Sequence, residues 1–415
     1  MSGADVSVLD GARVAVIGIN YFPESTGIAP YTTALARAVA EGGADVRVIT
    51  GVPHYPAWRV DDPRYVQGSR WRETIDGVPV LRVRHHVPAS AGLVGRARME
   101  ASFSVRAFAA LRRTHADAVV AVTPSLGALP AVLFGRHGAP WGAVVQDLTG
   151  AGAEQSGTTG RLAGALIGRA ELALLRRADL VGVIAARFGD LLVDDGVAAD
   201  RVVELPNFTH ITPSALGRDA ARRALGWPLD TLIFLHTGNM GMKQGLEAVV
   251  EAGRLAPPGV GFSLTGNGNQ RSHLEELAEG VRGVRILDPV DEDLYPVVLA
   301  AADVLVLSER RGVKEMSLPS KLTSYVAARR PIVAALEPGG ISHSLLVEHG
   351  AAELVPAGDS AALLAAAQRV AKDPARAREL VDAGTRMGGA LWSAAAAADR
   401  YRRFVARLLT RGAAH

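Results

Sequence analysis

Cysteine is absent from the 415-residue sequence, and lysine is nearly so. Without thiols the chain has no disulfide scaffold, no thiolate zinc site and no cysteine nucleophile. This absence also fits a reducing compartment. Arginine carries almost all of the positive charge, so a lysine in a loop suited to phosphate is informative. The only lysines are Lys243, Lys314, Lys321 and Lys372.

A large excess of charge of one sign and long hydrophobic runs are also missing. The formal net charge is +3 and no run of like charges resembles a basic arm, so we expect no nucleic acid among the partners. No stretch approaches the ~18 consecutive apolar residues of a membrane-spanning helix. The segment Met1–Asp10 lacks the order of charged, apolar and small residues of a signal peptide. We therefore expect a cytoplasmic protein, soluble or peripheral at the inner face of the cell membrane.

The sequence does contain short apolar runs that alternate with helical patterns along the whole chain. Its length favours two domains of about 200 residues each. Most runs are continuous in Val, Ile, Leu and Ala, which is typical of parallel strands buried on both faces. The predicted strands are Arg13–Ile19, Asp45–Thr50, Val78–Arg84, Ala118–Thr123, Trp141–Leu148, Asp179–Ala185, Arg201–Leu205, Thr231–Thr237, Gly261–Thr265, Val284–Leu287, Asp303–Leu307, Pro331–Leu336 and Ala352–Val355.

The series of strands restarts after a turn-rich stretch, residues 205–213, which we interpret as a linker. Strands that alternate with helices predict a parallel sheet covered by helices. The predicted fold class is α/β, with two doubly wound, Rossmann-like domains facing a central cleft. We place them at residues 1–208 and 209–392, followed by an alanine-rich helix at 393–415. Ligands of such sheets bind beyond the carboxyl ends of the strands, so the loops there are the candidate sites.

Two glycine-rich loops follow the first two predicted strands of the second domain. The first, Thr237–Gly245, combines glycines for close backbone approach with Lys243 as a mobile positive charge, which suits a diphosphate. In the second, Arg271 is placed to reach a ribose or a phosphate. The alternatives are a surface lysine on a flexible turn and ordinary Gly-Asn-Gly turn chemistry. The candidate binding residues of these loops are Gly238, Asn239, Lys243, Gly266, Asn267 and Arg271.

A polar loop follows the predicted strand Asp303–Leu307, and Pro319-Ser320-Lys321 opens the next helix. A phosphate there would meet backbone N–H groups, the Ser320 hydroxyl and the Lys321 ammonium together. The alternative is a capped helix with a solvated lysine. Gly339 and Gly340 follow the next strand and precede another helix, so they offer a second place for backbone amides to line the cleft.

The first domain offers an anion site and three acid–base candidates. Gly27 lies just before a helix, where free backbone N–H groups and the positive end of the helix dipole favour an anion. The alternative is an ordinary strand-to-helix connection. Asp147 lies at the end of the predicted strand Trp141–Leu148, and His54 and Glu24 follow predicted strands. All three are candidate polar groups, although a loop-capping Asp and a structural histidine are the alternatives. The histidines show no metal-ligand spacing, and we expect no metal.

Taken in chain order, the loops at the ends of the predicted strands resemble those of glycosyltransferase family four, which has the GT-B fold. Within that family they are most similar to the bacterial enzymes of colanic-acid, capsule and O-antigen synthesis. The similarity covers nearly the whole chain. Each motif is short, and the ordered set is the specific signal. The motifs are Asn20–Tyr31, Gly51–Trp58, Val144–Leu148, Thr237–Gly245, Gly266–Arg271, Leu318–Lys321 and Gly339-Gly340.

The resemblance implies a retaining, metal-independent transfer from a nucleotide-diphosphate sugar. A UDP-sugar is the family-weighted donor, and no separate cofactor is implied. The second domain would bind this donor, with Lys243, Ser320 and Lys321 on the diphosphate and Gly27 against it. Asn239 occupies a position where many relatives have arginine, which puts a second guanidinium–phosphate contact in doubt.

The resemblance fails at a pair of glutamates. Many family members carry two glutamates separated by seven residues at this helix, and Met316 and Ser324 stand at the corresponding positions here. Glu315 is adjacent to the first position. The departing phosphate develops negative charge that lysines and amides stabilise, and it can accept the proton of the acceptor hydroxyl, so positioning matters more than a strong base. The catalytic candidates are Asp147, Lys243, Glu315 and His54.

The acceptor is not specified by these motifs. The stretch Gly95–Arg113 interleaves arginines with apolar residues, which suits an anionic membrane surface that presents a lipid-linked glycan, or else an ordinary helix with solvated arginines. Three hypotheses remain open. They are a transferase that builds a polysaccharide on a polyprenyl-diphosphate carrier, a transferase for a soluble small molecule such as a natural product, and a nonenzymatic subunit that binds a sugar nucleotide.

Overall fold

The computed structural model describes residues 5–24, 27–88, 93–147, 161–209, 211–312 and 320–412. The chain divides into two compact units. The first comprises Met1–Asn207 together with Ala395–His415, and the second comprises Phe208–Ala394. Each unit is built around one sheet.

The strands of the first unit are β1 (Arg13–Ile17), β2 (Asp45–Gly51), β3 (Arg70–Ile75), β4 (Val78–Val83), β5 (Ala118–Val122), β6 (Trp141–Val145), β7 (Leu180–Val183) and β8 (Val202–Glu204). They form one sheet in the order β3-β4-β2-β1-β5-β6-β7-β8. All neighbours are parallel except β3 and β4, which pair antiparallel. Strands β5, β6 and β7 are buried at every position, as continuous apolar runs predict.

Two expectations for this sheet were wrong. Strand β3 was not predicted, because its residues alternate between exposed and half-buried positions at the sheet edge and carry no continuous apolar run. The strand expected at Trp141–Leu148 ends at Val145, so Asp147 lies in the loop two residues beyond β6 rather than within a strand. The helices described in this unit are α1 (Ala29–Glu41), α2 (Leu93–Leu111), α3 (Ala128–Gly135), α4 (Arg161–Leu175) and α5 (Ala186–Asp194).

The second unit contains β9 (Leu232–Asn239), β10 (Val260–Asn267), β11 (Val284–Leu287), β12 (Val304–Ser308), β13 (Ile332–Leu336) and β14 (Glu353–Pro356). They form a wholly parallel sheet in the order β11-β10-β9-β12-β13-β14. Its helices are α6 (Arg218–Leu225), α7 (Glu247–Arg254), α8 (Arg271–Ala278), α9 (Tyr295–Ala300), α10 (Ser320–Ala327), α11 (Ile341–His349), α12 (Ser360–Lys372) and α13 (Pro374–Leu391). Separate apolar clusters pack on the two faces of this sheet. The prediction of two parallel-sheet, Rossmann-like domains is confirmed.

The last helix, α14 (Ala394–Gly412), packs on the first unit. Phe404 is buried against Gly142 of β6 and Gly182 of β7, where a Cβ atom at Gly142 would lie 2.8 Å from the ring. Arg411 donates to Asp179 O at 2.9 Å and to Asp200 Oδ2 at 2.7 Å. Short 3₁₀ helices occur at Val6–Leu9, Pro63–Tyr65, Ala199–Arg201 and Met242–Gln244. Within the described ranges, no helix has both the length and the apolar character needed to cross a membrane.

Candidate active site

Glycines at the ends of β9 and β10 pack backbone against backbone. Gly238 is the register partner of Gly266. Gly266 has a φ of +151°, and a Cβ atom there would overlap the carbonyl oxygen of Gly238. A Cβ atom on Gly268 would likewise overlap the carbonyl of Met240. Only glycine fits at such close approaches. Gly238, which is exposed, Gly266, which is buried, and Gly268, which is half-buried, therefore form a stretch of closely packed backbone, which we call the glycine platform.

Two exposed asparagines follow the platform glycines on these strands. Asn267 Oδ1 accepts the N–H of Gly268 at 2.8 Å. The amide group of Asn239 lies so close to Gly241 and Gly268 that Cβ atoms at those glycines would meet it at 2.9 and 2.7 Å. Both amides therefore contact the turns around the platform.

Lys321 lies at the start of α10 and contacts the end of β9. Its Nζ is 3.0 Å from His236 Nε2, and its Cε lies 3.7 Å from where a Cβ of Gly238 would be. His236 is fully buried, and its Nδ1 lies 3.1 Å from Val306 O. Burial, together with the charge of Lys321, holds the pKa of His236 well below its ordinary value. The ammonium is thus held at the platform by a neutral imidazole.

Tyr325 lies one turn after Lys321, on the same face of α10. Its hydroxyl accepts the N–H of Thr237 at 2.8 Å, and Thr237 Oγ1 is 2.9 Å from the hydroxyl of Tyr295. Burial raises the pKa of Tyr325, so this hydroxyl remains protonated. The spacing of Lys321 and Tyr325 fastens the helix to two successive residues of β9.

The turn that carries Lys243 rests on the chain after β12. Lys243 O accepts the N–H of Arg310 at 2.8 Å, while the Lys243 side chain is exposed. Gly245 has a φ of +55°, and a Cβ atom there would lie 2.8 Å from Arg310 Cα. Glycine is therefore required to place this turn beside β12.

Arg271 contacts protein groups around the second loop. Its guanidinium donates to Gly266 O at 2.9 Å and forms ion pairs with Glu275 at 2.7 Å and Asp288 at 2.8 Å. These contacts brace the chain that follows the platform. A direct contact of Arg271 with ribose or phosphate stays a prediction.

Gly339 and Gly340 lie between β13 and α11. Gly339 has a φ of +81°, and Gly340 is the N-cap residue of α11 without a side-chain cap. A Cβ atom at Gly340 would be 3.9 Å from Glu309 Oε2. Glu309 follows β12 and is only 2% exposed, so a buried carboxyl group lies beside this helix start.

In the first unit, Glu24 and His54 lie together. Glu24 Oε1 accepts the N–H groups of His54 and Tyr55, each at 2.8 Å, and Glu24 Oε2 accepts from Asn20 at 2.8 Å. His54 Nδ1 is 3.0 Å from Val52 O and 3.5 Å from Glu24 Oε1. Because its carboxyl oxygens accept hydrogen bonds from both segments, Glu24 joins the loop after β1 to the loop after β2.

Gly27 lies in the same region, at the start of α1. Its φ is +65°, and a Cβ atom there would lie 3.0 Å from the Tyr55 ring. The buried Arg82 donates to the carbonyl of Phe22 and holds this loop from the other side. Ile28, the N-cap residue of α1, provides no side-chain cap, and an anion site at this helix start stays a prediction.

His85 follows β4 and packs against His54, with ring centroids 4.7 Å apart. It is 6% exposed, and within the described residues neither ring nitrogen has a hydrogen-bond partner. Burial first, and then the neighbouring His54, lower the pKa of His85 from 6.5 to about 3. His85 is therefore a neutral core residue at ordinary pH.

Other predicted residues are placed less fully. Asp147 is exposed beyond β6. Ser320 begins α10, but its side chain, like Glu315, Met316 and Pro319, lies outside the described part of the structure. Sequence reasoning missed four buried residues at the carboxyl ends of the sheets. For three of them the only signal in the sequence was a polar residue at or just after an apolar run, and for the fourth it was the i+4 position from Lys321. The first three are His85, His236 and Glu309, and the fourth is Tyr325.

Family models match both units of the chain. A glycosyl transferase 4-like domain covers residues 26–207, and a glycosyl transferases group 1 domain covers residues 231–373. The Escherichia coli K12 protein WcaI, provisionally named a colanic acid biosynthesis glycosyl transferase, is 32% identical over 334 residues. That match covers 76% of this chain and 81% of WcaI. The chain belongs to the family-four glycosyltransferases.

A second relative of this glycosyltransferase agrees with that assignment, and two solved structures share its fold. The 2-deoxystreptamine N-acetyl-D-glucosaminyltransferase of Streptomyces fradiae is 30% identical, with 84% of this chain and 83% of the relative covered. Sucrose-phosphate synthase from Thermosynechococcus elongatus superposes with a TM-score of 0.70 at 20% identity, over 93% of this chain and 96% of that one. Anabaena HepE superposes with a TM-score of 0.67 at 15% identity, over 96% and 100%. The predicted GT-B fold and enzyme class are confirmed, and membership argues against the nonenzymatic alternative.

Proposed function

We propose that this glycosyltransferase moves a sugar from a nucleotide-diphosphate donor to an acceptor hydroxyl, with retention at the anomeric carbon and without a metal. The observation that carries the donor assignment is the Lys321 ammonium beside Gly238 on the glycine platform. Bare backbone lets a diphosphate approach closely, and a fixed cation offsets its charge. The solved structure of Anabaena HepE contains UDP and glucose, which supports a uridine donor.

The proposed mechanism follows from the negative charge that develops on the departing diphosphate during transfer. The bond between the anomeric carbon and the diphosphate oxygen breaks as the acceptor oxygen bonds to that carbon, and the acceptor proton passes to the departing phosphate. Lys321, Lys243 and the uncapped start of α11 at Gly340 would stabilise the departing diphosphate. Asp147 and His54 remain candidate polar groups for the acceptor, and Glu315 remains a catalytic candidate next to the position of the first family glutamate. Because the leaving group takes the proton, the protein chiefly positions the reactants.

Binding of UDP to a lysine variant tests the donor site. We expect Lys321→Ala to weaken UDP binding by about 10- to 100-fold in titration calorimetry, because a charge-assisted bond to phosphate is lost. Lys372→Ala is the matched control, since Lys372 is an exposed lysine at the end of α12 on the same unit. Unchanged UDP affinity in Lys321→Ala would contradict the site, and tighter binding of GDP than UDP would contradict the uridine donor.

A second proposal concerns the acceptor, which we place at a membrane surface. Helix α2 packs on α3, and α3 packs on α4. Large apolar side chains are exposed on these helices. The acidic residues of α2 and α4 are turned away from solvent, because Glu100 accepts from Ser125 at 2.8 Å and Gly127 at 2.7 Å and Glu171 is only 3% exposed. The exposed apolar residues are Val94, Val105, Phe108, Phe134 and Leu166.

We call this surface the arginine–apolar face. Arg98 and Arg112, on or just after α2, are exposed on the side of the helix that carries its exposed apolar residues, and Arg113 is exposed next to Arg112. Such a combination favours anionic lipid, where a lipid-linked glycan would be the acceptor. The name of WcaI, which refers to colanic acid biosynthesis, supports this proposal. The name of the Streptomyces relative, which refers to 2-deoxystreptamine, supports a soluble acceptor instead. Co-flotation with anionic vesicles distinguishes the two.

A further inference from the structure

Two contacts of the His236 ring, to Val306 and to Lys321, assign its protons, and the backbone of Asn239 adds a further hydrogen-bonding contact that favours a ring N–H. Nδ1 faces the carbonyl oxygen of Val306 at 3.1 Å, and a carbonyl can only accept, so Nδ1 carries a hydrogen. Nε2 faces the Lys321 ammonium at 3.0 Å, and an ammonium can only donate, so Nε2 carries a lone pair. The ring is therefore neutral, with its proton on Nδ1.

We infer that His236 is a positioning residue of this glycosyltransferase, which holds the Lys321 ammonium at the glycine platform for the donor diphosphate. This inference rests on the proposed donor site. The two ring nitrogens have separate tasks, since Nδ1 fixes the ring to β12 through Val306 and Nε2 fixes the lysine. Through the imidazole, the half-buried Lys321 ammonium is held at a fixed place relative to the buried strand β12.

A held lysine differs in its energetics from a solvated one. A lysine side chain loses rotamer freedom when it binds a ligand in one geometry. A hydrogen bond to a fully buried ring restricts Lys321 before the donor arrives, so less of that entropy is lost on binding. An ammonium has three N–H donors, so one can bond to His236 while others bind phosphate oxygens in the donor complex.

The surroundings keep the imidazole from competing for a proton. His236 is fully buried, so the charged imidazolium would be desolvated and would also face the positive Lys321. A neutral acceptor leaves the full positive charge on the lysine. A carboxylate at the same place would neutralise Lys321 and weaken its attraction for a diphosphate.

Two amide substitutions separate the tasks of the two nitrogens. In Asn the side-chain amide lies near the place of Nδ1, and in Gln it extends to the place of Nε2. His236→Asn can keep the bond to Val306 but loses the acceptor for Lys321. His236→Gln can keep that acceptor and loses the bond to Val306. We expect His236→Asn to weaken UDP binding about tenfold and His236→Gln to retain affinity within about threefold.

A double-mutant cycle links the effect to Lys321. His236→Asn is combined with Lys321→Ala, and UDP affinity and thermal unfolding are measured for each variant. If His236 acts through Lys321, its substitution in the Lys321→Ala background causes no further loss of affinity. Equal losses in the Asn and Gln variants, unchanged affinity in the Asn variant, or losses that add in the double variant would overturn the inference.

The outcomes also separate this inference from the proposed function. If Lys321→Ala leaves UDP affinity unchanged, the proposed donor site fails. If Lys321→Ala weakens binding but His236→Asn does not, only the positioning role fails. Nitrogen-15 NMR of the imidazole in the unsubstituted protein provides a test that needs no folded His236 variant for its readout. A bare Nε2 is expected, and a protonated Nε2 would overturn the assignment.

Discussion

Single buried polar side chains fix the loops at the carboxyl ends of both sheets. In the first unit, Glu24 and Arg82 bond to backbone groups on either side of the Gly27 loop. In the second, His236 and Tyr325 join α10 to β9 and β12. Each of these residues bonds across strands that are distant in sequence, so removing one disturbs two segments at once.

His85 makes stability dependent on pH. The pKa of its ring falls from 6.5 to about 3 in the folded state because the ring is buried, with His54 beside it and smaller effects of His86 and Arg106. The unfolded chain therefore binds one more proton between these values, so folding stability is lost as the pH falls from about 6.5 towards 3. His85→Leu should reduce the slope of unfolding free energy against pH by up to about 1.4 kcal/mol per pH unit in this window.

The control for this measurement is the adjacent, exposed His86. Replacing His86 by Leu should leave the slope close to that of the unsubstituted protein, because no buried ring is removed. Urea unfolding at several pH values from 5 to 7 gives the slopes. A slope that is the same in His85→Leu and in the unsubstituted protein would show that His85 is not titrating on unfolding.

At the level of elements, the strands were predictable and the contacts between elements were not. Continuous apolar runs mark strands such as β5 and β6, since both faces of a parallel sheet are covered. Strand β3 lacks that signal because it is an antiparallel edge strand with alternating exposure. The contact of Lys321 with His236 joins residues 85 positions apart, and no local pattern in the sequence specifies such a pairing.

The packing of α14 on the first unit depends on Phe404. Its ring is buried against Gly142 and Gly182, whose missing side chains make the space that it fills. We expect Phe404→Ala to destabilise the first unit by about 3–5 kcal/mol, since a buried aromatic ring leaves a cavity. The measurement is urea unfolding, monitored by a spectroscopic signal from a group in the first unit. Arg403→Ala, on the exposed side of the same helix, should change stability by less than about 0.5 kcal/mol.

At the scale of the whole molecule, the division into two parallel-sheet units follows from the restart of the strand series. The class of enzyme follows from the resemblance of the ordered loop motifs to a known family, and the glycine-rich loops and rare lysines alone indicate only phosphate binding. The acceptor does not follow from this pattern. The arginine–apolar face depends on which side of α2 is exposed and on the inward direction of Glu100, and a sequence of interleaved arginines does not show either.

Vesicle flotation tests the arginine–apolar face. We expect the protein to float with vesicles of phosphatidylglycerol and phosphatidylcholine but not of phosphatidylcholine alone, and to release as salt rises. Val105→Glu, at a position that is 67% exposed, should lower binding about tenfold or more, because it replaces apolar contact with repelled charge.

The matched control is Val347→Glu, at an exposed position of α11 in the other unit. It should float like the unsubstituted protein. No flotation under any of these conditions, together with turnover of a soluble acceptor, would contradict the membrane proposal and favour the small-molecule acceptor.

The return of α14 to the first unit has a consequence for synthesis on the ribosome. Residues 208–394 form an uninterrupted segment, whereas the first unit requires residues from both sides of it. The space beside Gly142 of β6 and Gly182 of β7 stays unfilled until Phe404 has been translated. The nascent chain can thus finish its second unit first, while the unit that it began first is completed last.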